Sequence, residues 1–282
     1  MAIIVGIDVG GSTTKIVGFD GKKLLQPLCV KATDPVASIF GAFGKFTSER
    51  GISISSIERV MITGVGSTYI DKDIYGIPTT HVDEFACIGR GGLYLSGINE
   101  AIVVSMGTGT ALVHACGKKA DYLGGTGVGG GTLLGLSKKM LRMEDVTQIA
   151  ELAEEGDLDN VDLKIDDITS KNIIPTLSSR ATASNFGKIS DMATNSDFAL
   201  GIINLVFETI GMMAVFSARA KKLTSIILTG NLSSLQQAPR LYKGMGEMFG
   251  MDFIIPENSS YATVIGAALM HFDNQNNEGS QQ

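Results

Sequence analysis

Four short stretches of this chain combine residue types suited to gripping phosphate and activating a hydroxyl. The first is Asp8-Val9-Gly10-Gly11-Ser12-Thr13-Thr14-Lys15, set between the apolar runs Ile3–Ile7 and Ile16-Val17. It reads as a hairpin whose turn exposes backbone N–H groups beside hydroxyls, one ammonium and one carboxylate. Such a turn suits a polyphosphate and a divalent metal. Glycine lets the backbone come close, Lys15 neutralises charge, and Asp8 can hold Mg²⁺ through its waters. It is not a P-loop, because no glycine-lysine-serine/threonine run opens a helix here.

The second stretch, Ser105-Met106-Gly107-Thr108-Gly109-Thr110, repeats that logic on another strand-turn-strand unit. Alone it reads equally as an ordinary glycine turn or a phosphate clamp; paired with the Asp8 turn it reads as a clamp. The third, Gly124-Gly125-Thr126-Gly127-Val128-Gly129-Gly130-Gly131-Thr132, lies between a strand and a helix and formally contains a dinucleotide fingerprint. That fingerprint needs a following strand with an acid about 20 residues on, whereas Met143–Glu155 reads as helix. The stretch is better read as a loop that delivers helix N–H groups to anionic oxygens. The fourth, His81-Val82-Asp83-Glu84-Phe85, places two acids where a strand gives way to a helix. Such acids usually cap the helix and complement its dipole. One of them, held ionised near a cleft, can instead accept a hydroxyl proton during phosphoryl transfer. The residues alone do not choose between Asp83 and Glu84. The three histidines, His81, His114 and His271, are scattered and offer no metal-type spacing.

The elements that must position these stretches follow from patterning. Residues up to about 95 read β-β-β-α-β-α-β-α. They include a third strand at Lys22–Lys31, a helix from Asp34-Pro35 to Arg50 stopped by Gly51, and a buried strand from Arg59. A short helix at Ser67–Tyr75, a strand at Thr79–Val82 and a helix at Asp83–Leu95 complete the unit. The pattern restarts at Ala101 with three strands. Helices follow from near Thr132, at Glu144–Glu155 and at Ser196–Lys222. A buried strand at Ser225–Leu228 ends in Thr229-Gly230-Asn231, and helix, strand and helix close the chain at Leu235–Phe249, Asp252–Ile255 and Tyr261–His271. Two units built alike predict a duplicated α/β architecture with a ligand cleft between them. The division expected is an N-terminal lobe at 1–98, a C-terminal lobe at 99–272 and a disordered polar tail at 273–282.

Composition bounds the rest. A formal net charge of −6 over 282 residues, with no arginine- or lysine-rich stripe, gives no support for nucleic acid. Cys29, Cys87 and Cys116 are odd in number and lack metal spacing, so a reduced, cytoplasmic protein is expected. No basic leader precedes the first strand, so no secretion signal is expected. Between Phe198 and Ala218 the only charged side chain is Glu208. A bilayer would place that acid near its centre at a cost of a few kcal/mol, so a buried helix is expected and no membrane.

Together these residues resemble the type II, eukaryotic-like pantothenate kinases of the actin-like ATPase superfamily. The Asp8–Lys15 turn, Asp83-Glu84-Phe85, Met106–Thr110 and the Gly124–Thr132 loop carry the likeness, with Thr182-Ala183-Ser184-Asn185-Phe186-Gly187-Lys188 as its more specific segment. The resemblance implies duplicated ribonuclease-H-like lobes around an ATP cleft, a homodimer, and transfer of the ATP γ-phosphate to the 4′-hydroxyl of pantothenate in coenzyme A synthesis. It implies that Asp8, Val9, Gly10, Gly11, Ser12, Thr13, Thr14 and Lys15 bind ATP phosphates and Mg²⁺, with Asp8 toward the metal. Gly107, Thr108 and Gly109, then Gly130, Gly131, Thr132, Leu133 and Leu134, would contact ATP, and Gly230 and Asn231 would lie near its adenosine. Glu84 falls on the family's catalytic base. Ser105, Thr108, Tyr122, Thr182 and Ala183 would face the acceptor, the last two across the dimer, where the long apolar helix would also serve. Acyl-CoA is the implied feedback ligand.

One position departs from the family. Where its members carry an arginine that contacts pantothenate, this chain has Tyr122. Arginine grips a carboxylate with two charge-assisted bonds, whereas tyrosine offers one neutral hydroxyl. Arg90 and Arg180 are the candidate replacements. Otherwise the acceptor lacks the carboxylate, as pantetheine does, or the chain is a nucleotide- or acyl-CoA-binding regulator without kinase activity. A third reading, an actin-like activator of a dehydratase through an iron–sulfur cluster, lacks a recognisable cysteine set.

Overall fold

The computed structural model describes residues 2–31, 34–169 and 178–278. The first sheet is built from β1 (Ile3–Val9), β2 (Thr13–Asp20), β3 (Lys23–Lys31), β4 (Ile57–Thr63) and β5 (Thr79–His81), in the order β3-β2-β1-β4-β5. The second uses β6 (Glu100–Met106), β7 (Thr110–Cys116) and β8 (Lys119–Thr126), joined by β11 (Ser225–Thr229) and β12 (Asp252–Ile254). Its order is β12-β11-β6-β7-β8, which is the first sheet's order repeated element for element. Between these lies a small antiparallel pair, β9 (Leu163–Lys164) with β10 (Thr182–Ser184).

Both sheets are covered on both faces, which is why their inner strands read as unbroken apolar runs rather than alternating ones. Pleating sends neighbours apart. Val5 and Ile7 pack under helix α1 (Pro35–Glu49), while Ile4 packs under helix α8 (Ala262–Glu278). Likewise Ile102 and Val104 face α6 (Asn195–Lys221), and Ala101 and Val103 face α2 (Glu84–Ser96). Asp34 begins α1 by accepting the Ala37 N–H at 2.6 Å, with Pro35 at the first helical position. Phe43 and Phe46 from that helix are fully buried, a contribution of about 2 kcal/mol each.

A boundary at residue 98 separates the strands of the two sheets but not the helices. The first half's α2 covers the second sheet and the second half's α8 covers the first, so the two helices cross at the centre. They cross backbone to backbone: a Cβ on Gly91 would lie 1.8 Å from the Ala262 carbonyl oxygen, and one on Gly266 would lie 1.9 Å from that of Cys87.

Several expectations need correction. Helix α3 (Gly130–Leu141) starts two residues before Thr132, because the Gly130 and Gly131 N–H groups are held by the carbonyls of Gly107 and Thr108. The helix expected at Ser67–Tyr75 is a 3₁₀ turn at Val65–Tyr69; beyond it a tight turn with Tyr75 and Gly76 at positive φ, closed by a bridge between Ile74 and Ile77, takes the place of helix. Short helices α4 (Val146–Ala153) and α5 (Ile165–Ile168) flank β9, and α7 (Gln237–Phe249) precedes β12. The tail does not begin at Asp273. That residue sits inside α8, is buried, and accepts from Arg90 Nε at 2.7 Å. The end of the expected tail, 279–282, lies outside the described residues.

Helix α6 is long and apolar enough to cross a membrane by length and composition, with a window hydropathy of 1.9, but 61% of that window is buried inside the protein. It packs against the second sheet and α3, α4 and α7. Glu208, the acid at its middle, accepts from Thr182 Oγ1 and Asn185 Nδ2, both at 2.9 Å.

Candidate active site

The two phosphate-type turns face each other across the cleft. In the first, the Gly10 N–H donates to the Thr13 carbonyl at 2.9 Å; in the second, the Gly107 N–H donates to the Gly109 carbonyl at 2.9 Å. Two cavities meet along them, of about 490 and 720 Å³, and share Gly11, Ser12, Thr13, Lys15, Gly107, Thr108 and Asn231. The smaller one also holds Asp8, Glu84, Ser105 and Tyr122; the larger holds Gly130, Leu134, Leu235 and Tyr261. Both lie within the size range of small-molecule sites.

Each half carries the same device at the end of a central strand. Gly64 follows β4 with φ +87°, and Gly230 follows β11 with φ +88°, in the matched sequences Thr63-Gly64 and Thr229-Gly230. A side chain on Gly64 would lie 2.7 Å from Asp8 Oδ1, and one on Gly230 would lie 2.6 Å from the Met106 carbonyl oxygen. Glycine is therefore required twice, by backbone angle and by space. It is what leaves room for Asp8 on one side and for the second turn on the other.

Electrostatically, the site holds charge away from water. Burial pushes Asp8 up to about 6, against the opposing pull of Lys15, its cross-strand neighbour. Burial lowers Lys15 in turn, and Asp8 partly restores it. The Lys15 ammonium donates to the Ser260 carbonyl at 2.5 Å and sits 5.9 Å over the Tyr261 ring. Glu84 is raised by burial first, then by the negative charges of Asp8 and Asp83. Geometry separates the two acids at the start of α2. Asp83 is the helix cap, accepting the Ala86 N–H at 2.8 Å, whereas Glu84 lines the cavity with Asp8.

Not every residue singled out from the sequence reaches the cleft. Val9, Thr14 and Leu133 are fully buried and line neither cavity, because strand and helix periodicity turns them into the core. Thr132 Oγ1 is engaged locally, donating to the Gly127 carbonyl at 2.9 Å. The Gly130 and Gly131 N–H groups, expected to meet phosphate, instead tie α3 to the second turn. Thr182 and Ala183 lie on β10, away from both cavities of this chain. Arg90 is committed to Asp273, and Arg180 Nη2 donates to both oxygens of Asp159 at 2.7 Å. Neither arginine lines the cavity beside Tyr122. Residues the sequence reading missed include Val65, Ile88, Ala111 and Thr263. Val65 and Thr263 each sit directly beside a turn or helix start, a signal that element positions could have supplied.

Known proteins resemble the chain along its whole length. The type II pantothenate kinase of Bacillus cereus is 28% identical, covering 94% of this chain and 97% of its own. That of Staphylococcus haemolyticus is 27% identical, covering 95% and 99%. Among solved structures, the activator of the 2-hydroxyisocaproyl-CoA dehydratase from Clostridium difficile with bound ADPNP superposes with a TM-score of 0.69 at 16% identity, over 99% of this chain and 98% of that one. A ROK family glucokinase from Streptomyces griseus in complex with glucose and AMPPNP superposes at 0.57 and 13% identity, over 95% and 99%. At these identities the structures carry the fold alone: an actin-like ATPase fold with duplicated lobes. The family model named Fumble matches residues 98–241, from the second sheet into the start of α7. With half of its length matched by that model, the chain belongs to the Fumble family.

Proposed function

We propose that this protein is an ATP-dependent kinase that phosphorylates the 4′-hydroxyl of pantothenate, or of a closely related alcohol, at the entry to coenzyme A synthesis. The observation that carries the reading is the placement of Glu84 in one cavity with Asp8, facing two phosphate-type turns. The names of the relatives supply the acceptor. ATP lies with its nucleoside toward Leu134, Leu235 and Tyr261 and its phosphates between the turns. The acceptor enters on the Glu84 side. Its hydroxyl oxygen attacks the γ-phosphorus as the bond to the β-γ bridging oxygen breaks. ADP leaves with that electron pair, and the hydroxyl proton passes to the Glu84 carboxylate.

Mg²⁺ fits this donor set in one way. Among the described residues no group of three or more acids, histidines or cysteines forms a metal cage, so the ion would be held by phosphate oxygens and waters, with Asp8 as the protein's contribution. Bound there, it neutralises charge on the phosphates. Lys15, held by the Ser260 carbonyl, supplies a second, fixed positive charge.

The same reading assigns the apolar flank of α6, where Phe216 is 59% exposed, to a second copy of the chain in the cytoplasm. Acyl-CoA is then a feedback ligand. The direct test is mass-spectrometric detection of 4′-phosphopantothenate from purified protein, ATP, Mg²⁺ and pantothenate, with ADP formed in equal amount. ADP formation independent of any acceptor would overturn the assignment.

A further inference from the structure

We propose that the acceptor end of the cleft is built for a neutral, amide-bearing chain, and that Tyr122 is the residue that selects it. The proposal rests on the kinase reading and narrows its acceptor from pantothenate, which ends in a carboxylate, to pantothenate amides such as pantetheine.

The wall chemistry supports this. Beyond Glu84, the smaller cavity is lined by the apolar side chains of Ile88, Ala111 and Val65, by the Ser105 and Thr126 hydroxyls, and by glycine backbone. Among the described residues on that wall, Lys15 is the cation, and it leans the other way. Its ammonium is bound to the Ser260 carbonyl and lies over Tyr261, both of which line the nucleoside-side cavity. The arginines that sequence suggested are paired elsewhere, Arg90 with Asp273 and Arg180 with Asp159 and Asp166. A carboxylate tail, at the opposite end of the acceptor from the hydroxyl that meets Glu84, would lose water here without gaining a cation.

Tyr122 occupies a constructed position. Its ring stacks on Phe85, the residue after Glu84, with centroids 4.0 Å apart and planes 20° from parallel. Gly125 makes room for it: a Cβ there would lie 3.0 Å from the Tyr122 hydroxyl and 2.4 Å from the Thr110 carbonyl oxygen. The ring is nonetheless 51% exposed at the cavity's edge. A pre-ordered aromatic face at that edge offers a flat, low-entropy platform for the second planar amide, which pantetheine carries in place of the carboxylate, with the phenol as one neutral hydrogen-bonding group.

The test compares kcat/KM for pantetheine and pantothenate at saturating ATP and Mg²⁺, in wild type and in Tyr122→Phe, Tyr122→Ala and Tyr122→Arg. An ADP-induced melting shift reports folding of each variant. Wild type is expected to favour pantetheine by ten-fold or more. Tyr122→Phe, which keeps the stack, should retain most of that preference, and Tyr122→Ala should lose it through KM. Tyr122→Arg should move the ratio at least ten-fold toward pantothenate. Wild-type preference for pantothenate would overturn the proposal and leave the kinase reading standing, as would a ratio indifferent to all three substitutions. Phosphorylation of neither compound by a protein that binds ADP would overturn both.

Discussion

Replacing Gly266 by alanine tests the helix crossing on which the two lobes are hung. Alanine is the better helix former, and in an open helix the change stabilises by up to about 1 kcal/mol. Here the added Cβ would sit 1.9 Å from the Cys87 carbonyl oxygen and 2.9 Å from the Gly91 nitrogen, atoms of backbone rather than of a flexible side chain. A carbon and a carbonyl oxygen rest at about 3.3 Å, so α2 and α8 must part by roughly 1.4 Å. Gaps of that size forfeit about half of each neighbouring dispersion contact, and the neighbours include the buried Val264, Ile265, Ala267 and Ala268. Overpacking at the upper end of its usual range, about 3 kcal/mol, less the propensity gain, leaves a net loss of about 2 kcal/mol. For a chain of this size that lowers Tm by roughly 4–8 °C. The assay is thermal and urea unfolding of Gly266→Ala beside Gly41→Ala. Gly41 lies on an exposed position of α1 with nothing within 4 Å of its would-be Cβ, so that change should be neutral or stabilising. If Gly266→Ala melts at or above wild type, the backbone-to-backbone crossing is not what joins the lobes.

Glu84→Gln should cut phosphoryl transfer by about 10²–10⁴-fold while leaving nucleotide affinity, measured by calorimetry, near wild type. The same variant should melt higher than wild type near neutral pH without ligand. Burial raises Glu84's folded pKa, so ionisation favours the unfolded chain increasingly as pH rises from the unfolded value through the folded one; the advantage should shrink to nothing in acid, below both. Activity as a base requires the ionised form, so turnover should fall as pH drops through that raised value. Asp83→Asn, which keeps a capping oxygen but removes one like charge, should move this acid limb to lower pH in a kcat/KM profile. Asp273→Asn should lower urea-unfolding stability by about 1–3 kcal/mol, since it breaks a partly buried, charge-assisted bond to Arg90; an unchanged midpoint would mean that α8 ends functionally before it.

The duplicated α/β pattern was legible because strand and helix periods are local, and because Gly, Pro and capping Asp mark element ends over a few residues. Asp34-Pro35 opening α1 and Gly51 following it are examples. The Asp8 and Gly107 turns were legible for the same reason. Helix α3 was placed to within two residues, but its start at Gly130 is fixed by carbonyls at Gly107 and Thr108, some twenty residues back. The Asp273 tail was misjudged because one polar side chain gains a partner, Arg90, from 183 residues earlier in the chain. Val9, Thr14 and Leu133 were grouped with their functional neighbours by adjacency, although alternate residues of a strand, and successive residues of a helix, face different ways.

What the sequence determined alone is therefore the inventory: two phosphate-type turns, an acid pair opening a helix, a glycine-rich loop, and a tyrosine just before that loop. These are properties of residue type and short spacing. Tertiary structure decided which acid caps and which faces the cleft, that the glycine loop braces the second turn, and that both candidate arginines are already paired. It also decided that α2 and α8 exchange sheets. Apart from the local cap at Asp83, those outcomes depend on partners distant in the chain, and only the closed fold brings such partners within reach of one another.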